Sequence, residues 1–323
     1  MALQWPKIGN EKAIAFLEAA ISSGKTASTY IFAGPEDLGK STVAFAFAKN
    51  LQGESEGGFN SDLHVLQREE GKKSISIDAV RSFIKMMNMS SFSGSYKVGI
   101  IKEADYLSEE AKSALLKTLE EPEDMVIIIL LVNDLSALPS TIASRSQVLH
   151  FQPVSSETVY DYLIEHYNAN RSLAKDLANL CLGRPLLAIR YLENADKYDS
   201  YLRRASLWLD LIEETSTASR LEILDDIFKD RTWSREAVEL ASSILDLAEG
   251  LARDLLLISI GHKNLVQHLA LLGRIEGLAN NLSLKNDVAL LMLNHLKLIS
   301  QARTYLAANV NPRLTLEQIA INY

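Results

Sequence analysis

"TYIFAGPEDLGKSTVAFAFAKNL", residues 29–51, decides the fold. It opens on a short apolar run ending in Gly34 and closes with Val43, Ala46, Phe47 and Leu51 at helical spacing. A strand and a helix therefore flank one loop. That loop, "GPEDLGKS" from Gly34 to Ser41, fits the pattern G-x-x-x-x-G-K-[ST]. Gly34 and Gly39 let backbone N–H groups turn inward around phosphate oxygens, Lys40 has the reach for β- and γ-phosphates, and Ser41 can ligate magnesium. The first turn of the helix adds partial positive charge. A glycine–lysine turn also arises by chance; the strand before this one and the helix after it set it apart. The loop speaks for phosphate-binding ancestry, and present occupancy is a separate question.

The alternation continues outward to about residue 150. "DAVRSFIKMM" (78–87) puts Val80, Phe83, Ile84 and Met87 on one helix face, with Asp78 as the expected N-cap. "KVGII" (97–101) and "VIIILLV" (126–132) are continuous apolar runs, as strands buried on both faces should be. Between them "SEEAKSALLKTLEEP" (108–122) reads as a helix capped by Ser108, with Glu109 and Glu110 at its positive end and Pro122 after its stop. "QVLHF" (147–151) follows as a last strand. Strands separated by helices imply a parallel sheet with right-handed crossovers.

Past Phe151-Gln152-Pro153 the strand signal stops. Residues 154–203 read as a small helical unit interrupted by "GRP" (183–185), and the remainder as helix after helix. Ala237, Ala241, Ile244, Ala248, Leu251, Leu255 and Ile258 form a wide apolar stripe, and Val288, Leu291, Met292, Leu296 and Ile299 repeat it. The expected fold class is α/β plus all-α, divided at 1–153, 154–203 and 204–323. "GESEGGFNS" (53–61) is the one low-complexity loop.

Composition narrows the function classes. The 323 residues are 47% hydrophobic with a net charge of −8, an ordered globular chain and not one that coats nucleic acid nonspecifically. The single cysteine, Cys181, rules out a disulfide framework or cysteine-ligated zinc and reads as core. "MALQWPKIGNEK" has neither a signal-peptide core nor a transit-peptide arginine bias, and "MVIIILLV" (125–132) is too short to span a bilayer. A cytoplasmic protein with no membrane partner is expected.

A second stretch bears on whether the loop works. "VGIIKEAD" (98–105) should end its strand in an aspartate that holds magnesium, followed by a glutamate that polarises the attacking water. Glu103 stands at the base position, but Lys102 takes the aspartate's place, and an ammonium repels a divalent cation. Asp105, three residues on, is not expected to reach that spot. No metal ligand is therefore assigned, and turnover here should be poor. The competing reading is an ordinary sheet edge.

"STIASRS" (140–146) ends a short helix with Ser144-Arg145. An exposed arginine there can enter a neighbouring subunit's site and neutralise a transferring γ-phosphoryl; taken alone, it would be a surface ion-pair partner. Asn133, after the second buried strand, can hydrogen-bond a γ-phosphate or water, or cap the next turn. The six histidines lack metal-ligand spacing, and His262 and His268 read as surface or packing residues. Lys72, Lys73, Arg81 and Lys85 form a modest basic cluster, a solvated face or a DNA contact.

With these motifs in order, the chain resembles the AAA+ subunits of the bacterial DNA polymerase III clamp loader. The matching stretches are "YIFAGPEDLGKSTVAFAFAKNL", "SISIDAVRSFIKMM", "YKVGIIKEADYLSEEAKSALLKTLEEPED", "LPSTIASR" and "ANVNPRLTLEQI". The resemblance implies a P-loop NTPase-like sheet domain, a helical lid and a helical collar. It also implies a hetero-pentamer with gamma/tau and delta subunits that meets a sliding clamp and primed DNA. Within that family the chain looks like a stator, which holds ATP or ADP weakly or without hydrolysis and offers Arg145 as a finger in trans. The zinc module common in the family has shrunk to "LQGESEGGFNSDLH" (51–64), so no zinc is expected. Ser-Arg-Cys reads Ser-Arg-Ser, and in "GRPLLAIRYL" (183–192) a leucine stands where motor subunits carry a nucleotide-sensing arginine, with Arg184 offset. The alternative within the family is an ATP-hydrolysing gamma/tau-type motor dependent on Lys40 and Glu103; outside it, an unrelated AAA+ remodelling enzyme.

Overall fold

The computed structural model describes residues 3–6, 9–53, 62–69, 71–89, 96–228, 235–284 and 287–322. These form two compact units, one of residues 1–162 with 183–187 and the other of 163–182 with 188–323. Residues 154–203 contribute to both.

In chain order the first unit holds α1 (Glu11–Ser23), β1 (Thr29–Ala33), α2 (Lys40–Gln52), β2 (Leu63–Leu66), α3 (Ile77–Met87), β3 (Lys97–Ile101), α4 (Glu109–Glu120), β4 (Val126–Val132), α5 (Ser140–Ala143) and β5 (Gln147–His150). The strands lie in the order β2-β3-β4-β1-β5, and every pairing is parallel. The apolar runs are continuous because each strand feeds two cores. Tyr30, Phe32, Val98, Ile100, Ile127, Ile129 and Leu131 pack with Leu17 of α1 and Val43 and Phe47 of α2. Alternate residues Ile31, Ala33, Ile101, Ile128, Leu130 and Val132 pack with α3, α4 and Ile142 of α5. Helices thus cover both faces, as a parallel sheet requires.

Close packing fixes local details. Gly99 lies so near α3 that a Cβ would sit 2.5 Å from the Phe83 ring, so a side chain there would push the helix off β3. Lys97, 2% exposed, sends its ammonium to the carbonyls of Met86 and Met89 and satisfies the end of α3. The expected cap of α3 is corrected by two residues: Ser76 Oγ accepts from Ala79 N at 3.3 Å, and Asp78 sits in the first turn. Ser108 caps α4 as expected, accepting from Ala111 N at 3.2 Å. Helix α1 and edge strand β2 were not expected. The low-complexity loop lies, from 54 to 61, outside the described residues.

The chain continues through α6 (Ser156–Tyr167), α7 (Arg171–Leu180), α8 (Pro185–Glu193), α9 (Ala195–Glu213), α10 (Thr217–Phe228), α11 (Arg235–Ser259), α12 (Leu272–Ser283), α13 (Val288–Ala307) and α14 (Pro312–Ile321). Helix α9 runs across residue 203. In the second unit the expected stripe of α11 is buried from Ala237 to Leu255 and packs against Met292 and Ile299 of α13. Cys181 is buried at the end of α7. His268 is buried as well: its Nδ1 lies 2.7 Å from Asp254 Oδ2, and its Nε2 lies 2.7 Å from Tyr201 Oη. No helix among the described residues is long and apolar enough to cross a membrane.

Candidate functional site

The crevice outside the carboxyl ends of β1, β3 and β4 is where an open α/β sheet receives ligands. It forms a cleft of about 220 Å³ lined by Glu36, Asp37, Gly39, Lys40, Ser41, Lys102, Glu103, Leu131, Asn133 and Leu186. The predicted loop, Lys102 and Glu103 after β3, and the strand-end asparagine therefore meet in one place, and β3 lies inside the sheet between β2 and β4, not at its edge.

The loop's shape is imposed by contacts. Gly34 has φ 147°, and a Cβ there would lie 2.2 Å from Phe151 O, so glycine alone fits against β5's exit. Gly39 (φ 90°) precedes α2, which begins at Lys40. Lys40 is 8% exposed; its ammonium donates to Gly34 O, to Pro35 O at 2.7 Å and to Asn133 Oδ1 at 3.1 Å. Burial lowers the Lys40 pKa from the ordinary lysine value, while the charges of Asp105, Glu36 and Asp37 work against that drop.

Asn133 joins two sides of the cleft. Its Oδ1 accepts a hydrogen bond from Lys40 Nζ, and its Nδ2 donates to Glu36 Oε1 at 3.0 Å. Capping of the following turn falls instead to Asp134, whose Oδ1 accepts from Ser136 N at 2.9 Å. Asp105, which has no metal position to fill, anchors this corner by accepting from Asn133 N at 2.9 Å and Asp134 N at 3.1 Å. Its carboxylate is committed to backbone donors.

Lys102 and Glu103 both face the cleft, and neither is arranged to hold a metal. The Lys102 ammonium stands 5.3 Å from the centre of the Phe45 ring. Glu103, in a left-handed turn at φ 52°, pairs with Arg68 at 2.8 Å. Arg68 in turn stacks on Tyr106, its Cζ 4.1 Å from the ring centroid. The loop thus fits the phosphates of a nucleotide, while the end of β3, where a magnesium carboxylate is expected, offers an ammonium and a paired glutamate. Arg68 gave no sequence signal, since it follows a strand that was itself not expected. Glu36 and Asp37 were legible as two carboxylates inside a phosphate loop but were not read for that.

The model of the family described as "DNA polymerase III, delta subunit" matches residues 9–155. The DNA polymerase III subunit delta′ of Bacillus subtilis (strain 168) is 25% identical over 342 residues, spanning 99% of this chain and 98% of that protein. Over its whole length, then, the chain resembles subunits of the DNA polymerase III clamp loader. The gamma subunit of Buchnera aphidicola is 27% identical over 172 residues, but the chain spans only 47% of its length. A gamma subunit-related protein from Thermotoga maritima, solved as a crystal structure, shares the fold at a TM-score of 0.51, with 17% identity and coverage of 94% of this chain and 97% of that one.

Two positions that the clamp-loader resemblance singled out have clear surroundings. Leu186, the first leucine of "GRPLLAIRYL", lines the cleft, and its backbone N donates to Asp37 O at 3.0 Å. Arg145 follows α5, with no part in its own chain's cleft lining. Its guanidinium lies 3.1 Å from Glu120 Oε1 and donates to Thr141 O at 3.1 Å, with the side chain 40% exposed.

Proposed function

We propose that this chain serves the clamp loader of DNA polymerase III as its delta-prime-type stator. In this role it would join gamma/tau and delta subunits in a hetero-pentamer that places a sliding clamp on primed DNA. The sheet, lid and collar would correspond to 1–153, 154–203 and 204–323, and the setting would be cytoplasmic. Its own cleft would hold ATP or ADP without appreciable hydrolysis, while Arg145 would enter a neighbour's site.

One observation carries this reading. Lys102 lines the cleft where a magnesium carboxylate belongs, and Glu103 beside it is neutralised by Arg68. Hydrolysis at such a site relies on a strand-end carboxylate to hold magnesium and a glutamate to polarise water, and here those two positions carry an ammonium and a glutamate paired with arginine. When bound, a nucleotide would supply only phosphate oxygens to the loop amides and Lys40. The Lys40 ammonium would exchange the carbonyls of Gly34 and Pro35 for them.

The test is ATP turnover by the purified chain, with and without magnesium. The expected result is nucleotide retention without magnesium-dependent phosphate release. Brisk release that Lys40→Ala abolishes would instead establish the gamma/tau-type motor.

A further inference from the structure

The phosphate loop carries its own anion on the donor that a terminal phosphoryl would use. Lys40 and Glu36 grip opposite ends of the Asn133 amide, so its orientation is assigned from both sides: oxygen to the ammonium, NH2 to the carboxylate. The backbone of Asn133 is held in turn by Asp105. Asn133 therefore cannot swing to a new acceptor without breaking a charge-assisted bond.

We propose that Glu36 makes this cleft selective for a nucleoside diphosphate over a triphosphate, its carboxylate standing in for the third phosphoryl group. The inference rests on the cleft being a nucleotide site. A diphosphate engages the loop amides and Lys40 and leaves the Glu36–Asn133 bond intact. A third phosphoryl group must displace that bond and then lie beside Glu36 and Asp37 without a metal to screen it. Lys102 stands on the wall where such a metal would be held. Like charges forced together in a partly buried cleft oppose binding of the longer chain.

Titration of the full-length chain with fluorescent N-methylanthraniloyl ADP and ATP, in EDTA, tests this. The wild type should bind the diphosphate about tenfold or more tightly than the triphosphate, the order expected from one charge-assisted hydrogen bond. Glu36→Gln should tighten triphosphate binding by about tenfold and leave diphosphate binding within about twofold. Asp37→Asn removes an equal charge from the same loop while keeping the Glu36 carboxylate on Asn133; it should recover much less. Equal wild-type affinities, a parallel shift of both ligands in Glu36→Gln, or the same gain in Asp37→Asn would each overturn the proposal. Failure of the wild type to bind either probe would sink the nucleotide reading itself, a result distinct from binding without selectivity.

Discussion

Lys40 and Arg145 are the two cations on which the proposed nucleotide-handling role turns, and the fold treats them in opposite ways. Lys40 is 8% exposed and donates to three acceptors of its own chain. Arg145 is 40% exposed and rests on one carboxylate, itself 52% exposed, and one carbonyl. An exposed ion pair is worth about 0–1 kcal/mol, so Arg145 is released at little cost. Lys40 gives up buried hydrogen bonds worth more, each about 1 kcal/mol. One cation is spent inside the protein, and the other is kept available outside it.

The largest expected effect breaks the available side. In a reconstituted loader, Arg145→Ala should lower ATP turnover by about a hundredfold or more, the scale of a lost arginine finger, with the chain's stability unchanged. If Lys40→Ala harmed turnover more than Arg145→Ala, the stator role would be wrong.

Acid acts next, and on the other unit. Burial pushes the His295 pKa down to about 4 from 6.5, with Arg220 adding to the drop and a hydrogen bond involving the Asn322 backbone opposing it. The unfolded chain therefore binds a proton below about pH 6.5 that the folded chain refuses. The stability of a neutral His295 is complete above that value and is lost as pH falls towards 4, roughly 3 kcal/mol in all. Urea midpoints measured at pH 7 and pH 4.5 check this, and His295→Phe should flatten part of the difference. A midpoint that does not fall in acid would contradict it. Comparisons of Lys40 and Arg145 belong at pH 7 or above for the same reason.

Lys40→Met sharpens the buried side. It leaves the carbonyls of Gly34 and Pro35 short of a donor, at a cost of about 1–3 kcal/mol, part of which is returned because the lysine was itself poorly hydrated. A urea titration should show a lowered midpoint, while turnover of the loader should stay within about threefold, far inside the scale of a lost arginine finger. An unchanged midpoint would mean that the ammonium contributes nothing to the loop.

What was legible in the sequence follows the same division between local and distant causes. The strands β3 and β4 were readable because burial on both faces leaves an unbroken apolar run. The edge strand β2 was not, since three of its four residues are only half-buried and the other, Val65, is exposed. Helix α1 has no side-chain cap to announce it: Asn10 uses its amide oxygen on Gln152 N, 142 residues away. Ser76 and Asp78 both precede apolar positions, and only packing decides which of them caps α3. In the cleft, Lys40, Ser41, Lys102 and Glu103 were readable because a phosphate loop and a strand end have fixed places in a parallel sheet. The roles of Asp105 and Arg68 depend on partners 28 and 35 residues away, which no spacing rule supplies. The Asp254–His268 pair was hidden likewise, its members lying on a helix and on the connection after it.

The smallest expected effect concerns what holds the available cation at rest. Glu120→Gln removes the charge facing Arg145 and keeps the side chain's size. Stability should change by less than about 0.5 kcal/mol, because an exposed pair gains little over water. Turnover of the assembled loader should hold or rise slightly, since the guanidinium no longer has a partner to leave. High salt screens an exposed pair, so the wild type in about 0.5 M salt should approach the variant's behaviour at low salt, once the effect of salt on DNA binding is subtracted with Arg145→Ala as the reference. A fall in turnover matching that of Arg145→Ala would mean that Glu120 positions the arginine for its neighbour. Arg145 would then be a preorganised finger held in its working geometry, and the contrast with Lys40 would be one of address and not of freedom.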